Sequence, residues 1–137
     1  MVERPRSNIE IVFADWIDAM RRGDVERMAS ALAPDAVHEG VLPGLRCSNR
    51  AEIMSLAGPR AKAVLRVEAL ELAGAGDRVV MSVRGPGIGP PVPGTDDETY
   101  DQACVVFTLD GGRITHMQDF LHRQDALDAA GVSSGWK

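Results

Sequence analysis

Several residue types that mark particular classes of protein are scarce in this chain of 137 residues. It has two cysteines, Cys47 and Cys104, which cannot form the disulfide framework typical of small secreted domains. It has two lysines and a net charge of −5, which disfavours binding to nucleic acid or anionic membranes, because both need clustered Lys and Arg. No apolar run is long enough to cross a bilayer, and no apolar leader follows the first residues. These absences predict a cytoplasmic protein without nucleic-acid or membrane partners.

Histidine and aromatic residues are also few, with 3 histidines and 4% aromatics. His116 and His122 are too far apart on a strand for a two-residue metal pair, and no other spacing suggests zinc, so the sequence predicts no metal and no cofactor. The glycines of Gly85-x-Gly87-x-Gly89 lie among prolines with no helix start after them, unlike a phosphate-binding loop. We interpret residues 85–94 as a flexible rim or lid over a pocket.

The composition that remains is that of an ordinary globular domain, with 45% hydrophobic and 26% charged residues. The length fits one domain over residues 1–137, with flexible ends at 1–7 and 131–137. Ser7 or Asn8 can cap a helix that Gly23 ends, and Asp24 can cap a second helix that Pro34 stops. Asn49 can cap a third short helix before the strands begin.

Strands dominate the second half of the chain. A short strand over residues 36–42 is followed by two predicted hairpins, 63–73 with 78–84 and 99–109 with 113–122, and then by a helix over 123–130. Helices first and antiparallel strands after them indicate an α+β fold, with the helices packed on one face of a curved, mainly antiparallel sheet.

Asp119 is the most informative residue, because it is a carboxylate on an otherwise apolar strand. Strict alternation would put Thr115, Met117 and Asp119 on one face, and Ile114, His116, Gln118 and Phe120 on the other. If the first face lines a cavity, Asp119 is a candidate acid or base. Trp16, Met81, Phe107 and Met117 are candidates for the apolar walls of that cavity.

The chain resembles the SnoaL-like branch of the ketosteroid isomerase superfamily. The resemblance depends on three segments: Trp16 to Asp24, Ala33 to Glu39, and Gly112 to Phe120. It implies a cone-shaped α+β barrel that encloses a small-molecule pocket, a homodimer, and an acid/base role for Asp119. The outer face of the sheet, with Val106, Ile114, Phe120 and Trp136, is the predicted dimer surface.

The chain departs from the best-known members of that superfamily. The tyrosine and two aspartates of the steroid isomerases would fall near Trp16, Gly40 and Val105, so their chemistry is not expected here. In the limonene-type epoxide hydrolases the late aspartate is paired with an arginine and a second aspartate. Arg84 matches that arginine, but Pro86 stands where the second aspartate should be.

The sequence leaves the partner of Asp119 open. Arg84 can orient Asp119 or bind a substrate oxygen, and His38 can act as a partner acid or base. Glu39 is a rival of His38, because neighbours on a regular strand face opposite ways. Our leading hypothesis is a cofactor-independent enzyme of the polyketide cyclase or isomerase type, acting on a small hydrophobic carbonyl or hydroxylated substrate. The alternatives are a limonene-type epoxide hydrolase and a non-catalytic module that binds a small molecule.

Overall fold

The computed structural model describes residues 7–41, 46–56, 66–89, 92, 94–95 and 98–132. Five α-helical segments, one π-helical segment and six strands make up the described fold. The helical segments are α1 (Asn8–Ile11), a π-helix (Val12–Asp18), α2 (Ala19–Arg22), α3 (Val25–Ala31), α4 (Arg50–Ser55) and α5 (Arg123–Ala130). The strands are β1 (Leu32–Glu39), β2 (Arg46–Cys47), β3 (Ala69–Ala75), β4 (Arg78–Arg84), β5 (Gln102–Asp110) and β6 (Arg113–Phe120).

The helix ends follow the capping residues that the sequence offers. The side chains of Ser7, Asp24 and Asn49 each accept a hydrogen bond from a backbone N–H in the first turn of the helix that follows. Gly23 ends α2 in the left-handed region at φ 69°, and Gly131 ends α5 at φ 71°, where a side chain would cause strain. The three predicted N-caps and the helix over residues 123–130 are therefore confirmed.

The strands form one sheet in the order β2-β1-β6-β5-β4-β3, whose two ends do not meet. Strands β3 to β6 are antiparallel neighbours, so both predicted hairpins are present. Strand β1 runs parallel to β6, with His38 in register with Met117. This parallel pairing was not predicted. It places the first strand in the sequence beside the last one. The predicted α+β class, with a mainly antiparallel sheet, is confirmed.

Several strand boundaries differ from the prediction. Strand β1 begins at Leu32, ahead of the predicted start at 36, and its pairing with β6 is interrupted between Leu32 and Val37. Pro34, which has no N–H to donate, lies in that interruption. Strand β3 runs over Ala69–Ala75 rather than 63–73, and β5 begins at Gln102 rather than Thr99.

A bulge changes the faces of β6. His116 pairs with Thr108 and Ile114 pairs with Leu109, so Thr115 is an extra residue in the ladder. Ile114 is fully buried in the same core as Met117, which corrects its predicted place on the outer face. Beyond the bulge the alternation holds, and Met117 and Asp119 share a face as predicted.

The sheet packs against different elements on its two faces. The concave face and the N-terminal helices enclose the main core, which includes Trp16, Phe107 and Met117. Helix α5 covers the convex face, where its Leu127 packs with Val80, Cys104 and Val106, and where Phe120 packs against the same cluster. Val106 is therefore buried by the chain itself, which corrects its predicted place on a free outer surface, whereas Phe120 is only partly buried. Trp136 lies outside the described residues.

The described part of the glycine- and proline-rich loop is attached to the chain before β5. Gly85 and Gly89 donate backbone hydrogen bonds to Asp101 and Tyr100. A Cβ on Gly85 would lie 2.0 Å from the carbonyl oxygen of Arg66, and one on Gly89 would lie 2.3 Å from that of Gln102. Glycine is needed at both positions because the backbones approach so closely. Residues 85–89 thus border the cavity as a rim that is hydrogen-bonded to the chain before β5.

Candidate active site

A buried histidine and a half-exposed aspartate form a hydrogen-bonded pair where β1 meets β6. The distance between His38 Nε2 and Asp119 Oδ1 is 2.8 Å. His38 is 6% exposed and Asp119 is 34% exposed. The parallel register places His38 opposite Met117, and Asp119 lies two residues further along β6 on the same face. The two side chains therefore meet because β1 and β6 run side by side in the same direction.

The pair lies in the wall of a mostly apolar cavity of about 280 Å³. Within the lining, the side chains of His38 and Asp119 are hydrogen-bonded to each other. The helices, the sheet and the rim loop all contribute to its walls. The apolar lining includes Trp16, Met20, Val41, Val67, Met81, Val83, Ile88, Val105, Phe107, Met117 and Phe120.

The other ring nitrogen of His38 indicates which tautomer is present. Nδ1 is buried and has no hydrogen-bond partner among the described residues. A proton on Nδ1 would be a buried donor without an acceptor, which is costly, whereas a bare lone pair there costs less. The favoured neutral tautomer carries its proton on Nε2 and donates it to Asp119. One oxygen of Asp119 is then held, and its second oxygen is available to a bound molecule.

The structure separates the predicted site residues into two groups. His38, Trp16, Met81, Phe107 and Met117 line the cavity together with Asp119. Of the two rivals on β1, His38 is therefore the one that faces it.

Arg84 and Glu39 lie elsewhere. Arg84 lies on the same face of β4 as Ser82. Its guanidinium is 3.7 Å from the carboxylate of Glu71, and its side chain is 63% exposed. Glu39 lies 3.4 Å from His116 and 3.7 Å from Arg46. Neither side chain is part of the cavity lining, because strand alternation directs both away from His38 and Asp119.

Sequence reasoning missed several residues of the cavity wall. Met20 belongs to the apolar stripe of the first helical region, so its spacing was a usable signal. Val67 and Ile88 lie outside the regular strands, and no local pattern marks them. Their positions depend on the contacts of the rim with the rest of the chain.

Cys104 packs in the cluster beneath α5 and also borders the cavity, but it differs chemically from the cavity pair. Its thiol is 3.5 Å from Ser82 Oγ, which also accepts a hydrogen bond from the side chain of Gln102. Burial raises the pKa of the Cys104 thiol, and the hydrogen bond with Ser82 partly opposes that rise. The thiol is therefore protonated and unreactive at neutral pH.

Within the described ranges, no group of three or more His, Cys, Asp or Glu side chains is arranged to hold a metal ion. The same part of the chain contains no helix with the length and apolar character needed to cross a membrane.

Helices on an open curved sheet, with a carboxylate in the wall of an apolar cavity, define the class of cone-shaped α+β domains that resemble nuclear transport factors. Within this class, the chain belongs to the SnoaL-like domain family, whose model matches residues 13–117. The resemblance inferred from the sequence is thereby confirmed. The match ends two residues before Asp119. No curated protein sequence matches the chain significantly.

Solved structures share the fold at low sequence identity. A proposed polyketide cyclase from Sinorhizobium meliloti is 24% identical with a TM-score of 0.57, covering 85% of this chain and 95% of that one. Another from Xanthomonas campestris pv. campestris is 20% identical with a TM-score of 0.58, covering 87% and 96%. An NTF2-like protein of unknown function from Cytophaga hutchinsonii is 12% identical with a TM-score of 0.61, covering 90% and 97%. At these identities the likeness shows the fold alone.

Proposed function

We propose that this protein is a cofactor-independent enzyme that removes a proton from carbon next to a carbonyl group in a small, mostly apolar substrate. The observation that carries the proposal is the hydrogen bond between His38 Nε2 and Asp119 Oδ1 in the wall of the apolar cavity. A carboxylate that is held by one hydrogen bond and has a free oxygen at a mostly apolar cavity is suited to act as a general base. Polyketide cyclases and isomerases use chemistry of this class.

The proton transfer begins at the second oxygen of Asp119. This oxygen takes the proton from the substrate carbon, and the electron pair of the broken C–H bond forms an enolate with its negative charge on the carbonyl oxygen. In an isomerisation, Asp119 returns the proton to a different carbon. In a cyclisation, the enolate carbon attacks a second carbonyl of the same molecule, and Asp119 returns the proton to the alkoxide that forms. Neither route requires an oxidant or a cofactor.

The enolate oxygen needs a hydrogen-bond donor, because negative charge is costly in an apolar cavity. Trp16 lines the cavity and is 4% exposed, and its indole N–H makes no hydrogen bond with any residue in the described ranges. We assign to this N–H the donor role that a tyrosine has in the steroid isomerases. The Trp16→Phe variant keeps a large ring and removes the donor, so kcat should fall more than KM rises.

Epoxide hydrolysis is less well supported by the geometry. It requires an arginine beside Asp119, and Arg84 forms its ion pair with Glu71 outside the cavity lining. The non-catalytic alternative requires only the cavity and is distinguished by the experiment below.

The test is deuterium exchange at carbon, which detects proton removal without knowledge of the complete reaction. A panel of cyclic and open-chain ketones is incubated with the protein in D2O, and loss of the α-proton signal is followed by NMR. We expect wild-type protein to accelerate exchange, and Asp119→Asn to lower the rate by about 100-fold or more. Asp110→Asn is the matched control, because Asp110 is exposed at the hairpin end of β5. Equal rates for wild type and Asp119→Asn would refute the proposal. Ketones that bind without any exchange would favour the non-catalytic module.

A further inference from the structure

A second cavity adjoins the one that contains Asp119. It has a volume of about 350 Å³ and is lined by the helical residues Ile17 and Arg21 and by residues 67–70 at the start of β3. Trp16, Met20, Val67 and Met81 border both cavities. The two cavities therefore share part of their walls.

Two of the four shared side chains belong to a residue type that adapts its shape to its neighbours. Met20 and Met81 are two of the four, and methionine is unbranched with three rotatable bonds, so it adapts its shape to its neighbours. The first cavity alone lies at the lower end of the volumes found for small-molecule sites, whereas the two together lie well within that range. A molecule whose reactive end is at Asp119 can extend past Trp16 and Met81 into the second space.

The far end of the second cavity is polar and carries both signs of charge. Arg21 and Glu68 line it, both are exposed, and neither side chain makes a hydrogen bond or ion pair with the described part of the chain. A charged group placed between them would be attracted by one and repelled by the other. An uncharged group that donates and accepts hydrogen bonds, such as a hydroxyl or a primary amide, is compatible with both.

We propose that the two cavities form one elongated site for a long, mainly apolar ketone whose far end carries a hydroxyl or amide group. The apolar body would lie against Trp16 and Met81, and the far end would lie between Arg21 and Glu68. This inference deepens the proposed function, and rests on it only in taking the ligand to be the substrate of Asp119.

The principal test measures binding as a function of ligand length, independently of turnover. The sequence has two tryptophans, so Trp136→Phe leaves Trp16 as the only indole fluorophore at the junction of the cavities. Methyl ketones with chains from about six to about fourteen carbons are titrated into this protein, since that series exceeds the length of the first cavity. We expect Kd to fall by up to about fourfold for each added methylene throughout the series.

Leu70→Trp fills the second cavity, because Leu70 lines that cavity and not the first. Its titrations are followed by calorimetry, since the new indole would obscure the fluorescence of Trp16. Short ketones should bind as they do to the parent protein, whereas Kd should stop falling once the chain would enter the second space. The short ketones thus serve as an internal control for folding, and Leu70→Phe provides a smaller filling residue if the larger one unfolds the protein.

Equal length dependence in the parent protein and in both Leu70 variants would overturn the proposal. So would a parent protein whose Kd stops falling at the shortest chains. Because the readout is binding, either result can occur whether or not Asp119 exchanges protons. Conversely, the length dependence can hold while deuterium exchange is absent, which would refute the proposed function alone.

The polar end is tested with Arg21→Met against the control Arg22→Met. Arg22 is the next residue, but it is paired with Asp18 at 3.0 Å and lines neither cavity. We expect Arg21→Met to raise the Kd of a long ketone with a terminal hydroxyl by about threefold, because one exposed hydrogen bond is lost. The Kd of the unsubstituted ketone of equal length should change little. Arg22→Met should change neither. An equal effect of the two variants, or of Arg21→Met on both ligands, would remove the polar end from the proposal.

Discussion

Both faces of the sheet carry polar side chains, but the surroundings of these side chains differ between the two faces. On the concave face, Asp119 is 34% exposed and borders a cavity, and the His38 ring beside it has a nitrogen without a partner. On the convex face, Ser82, Gln102 and Cys104 satisfy one another beneath α5. Polar residues within an apolar layer therefore do not by themselves indicate chemistry. What distinguishes the site is a polar group with spare hydrogen-bonding capacity next to open space.

The largest expected effect separates stability from activity. Leu127→Ala removes a fully buried side chain of α5 from the convex cluster, so the free energy of unfolding should fall by about 3 kcal/mol. Because Leu127 itself lines neither cavity, deuterium exchange by the folded variant should be unchanged. Urea denaturation and the exchange assay measure the two quantities. A large loss of exchange activity in fully folded protein would show that the faces are coupled and would break the comparison.

The next effect is on the cavity pair. His38→Leu removes the donor to Asp119, and the exchange rate constant should fall by about tenfold or more with little change in KM, because His38 positions the base and does not hold the substrate. His38→Gln retains an N–H donor and should recover part of the activity. If both variants lose stability and activity to the same extent, His38 has a structural role only.

The smallest effect concerns Cys104 and alkaline pH. The pKa of this thiol is raised in the folded protein, so above the ordinary thiol pKa of about 8.5 the unfolded chain loses its proton first. The contribution of Cys104 to stability is therefore complete below that pH and is lost as the pH rises through the folded-state pKa. Urea denaturation between about pH 7.5 and 9.5 should show a steeper decline for wild type than for Cys104→Ala. Cys47→Ala, which leaves Cys104 in place, should keep the steeper decline.

The sequence predicted the fold where the signals are local. The caps at Ser7, Asp24 and Asn49 and both β-hairpins are confirmed, since each depends on a few neighbouring residues. The bulge at Thr115 and the parallel pairing of β1 with β6 were missed, because each is decided by contacts between distant segments.

The same distinction applies to the site. Asp119 was conspicuous as a carboxylate on an apolar strand, and His38 was a candidate by residue type. That the two side chains meet could not be predicted, because it depends on the register of β1 against β6. Whether Arg84 faces the cavity depends on which face of β4 is turned towards it, and the sequence did not show this. In the structure Arg84 faces Glu71 instead.

The parallel pairing of β1 with β6 has a consequence for folding kinetics. His38 and Asp119 are 81 residues apart in the chain. Strands β3, β4 and β5 lie between them in the sequence. Contacts between such distant residues are slow to form, because the intervening chain must be ordered at the same time. Activity should therefore return during refolding no earlier than the last phase of sheet formation. A chain that lacks β6 should have helices but no functional site, so catalysis would report that the whole domain has assembled.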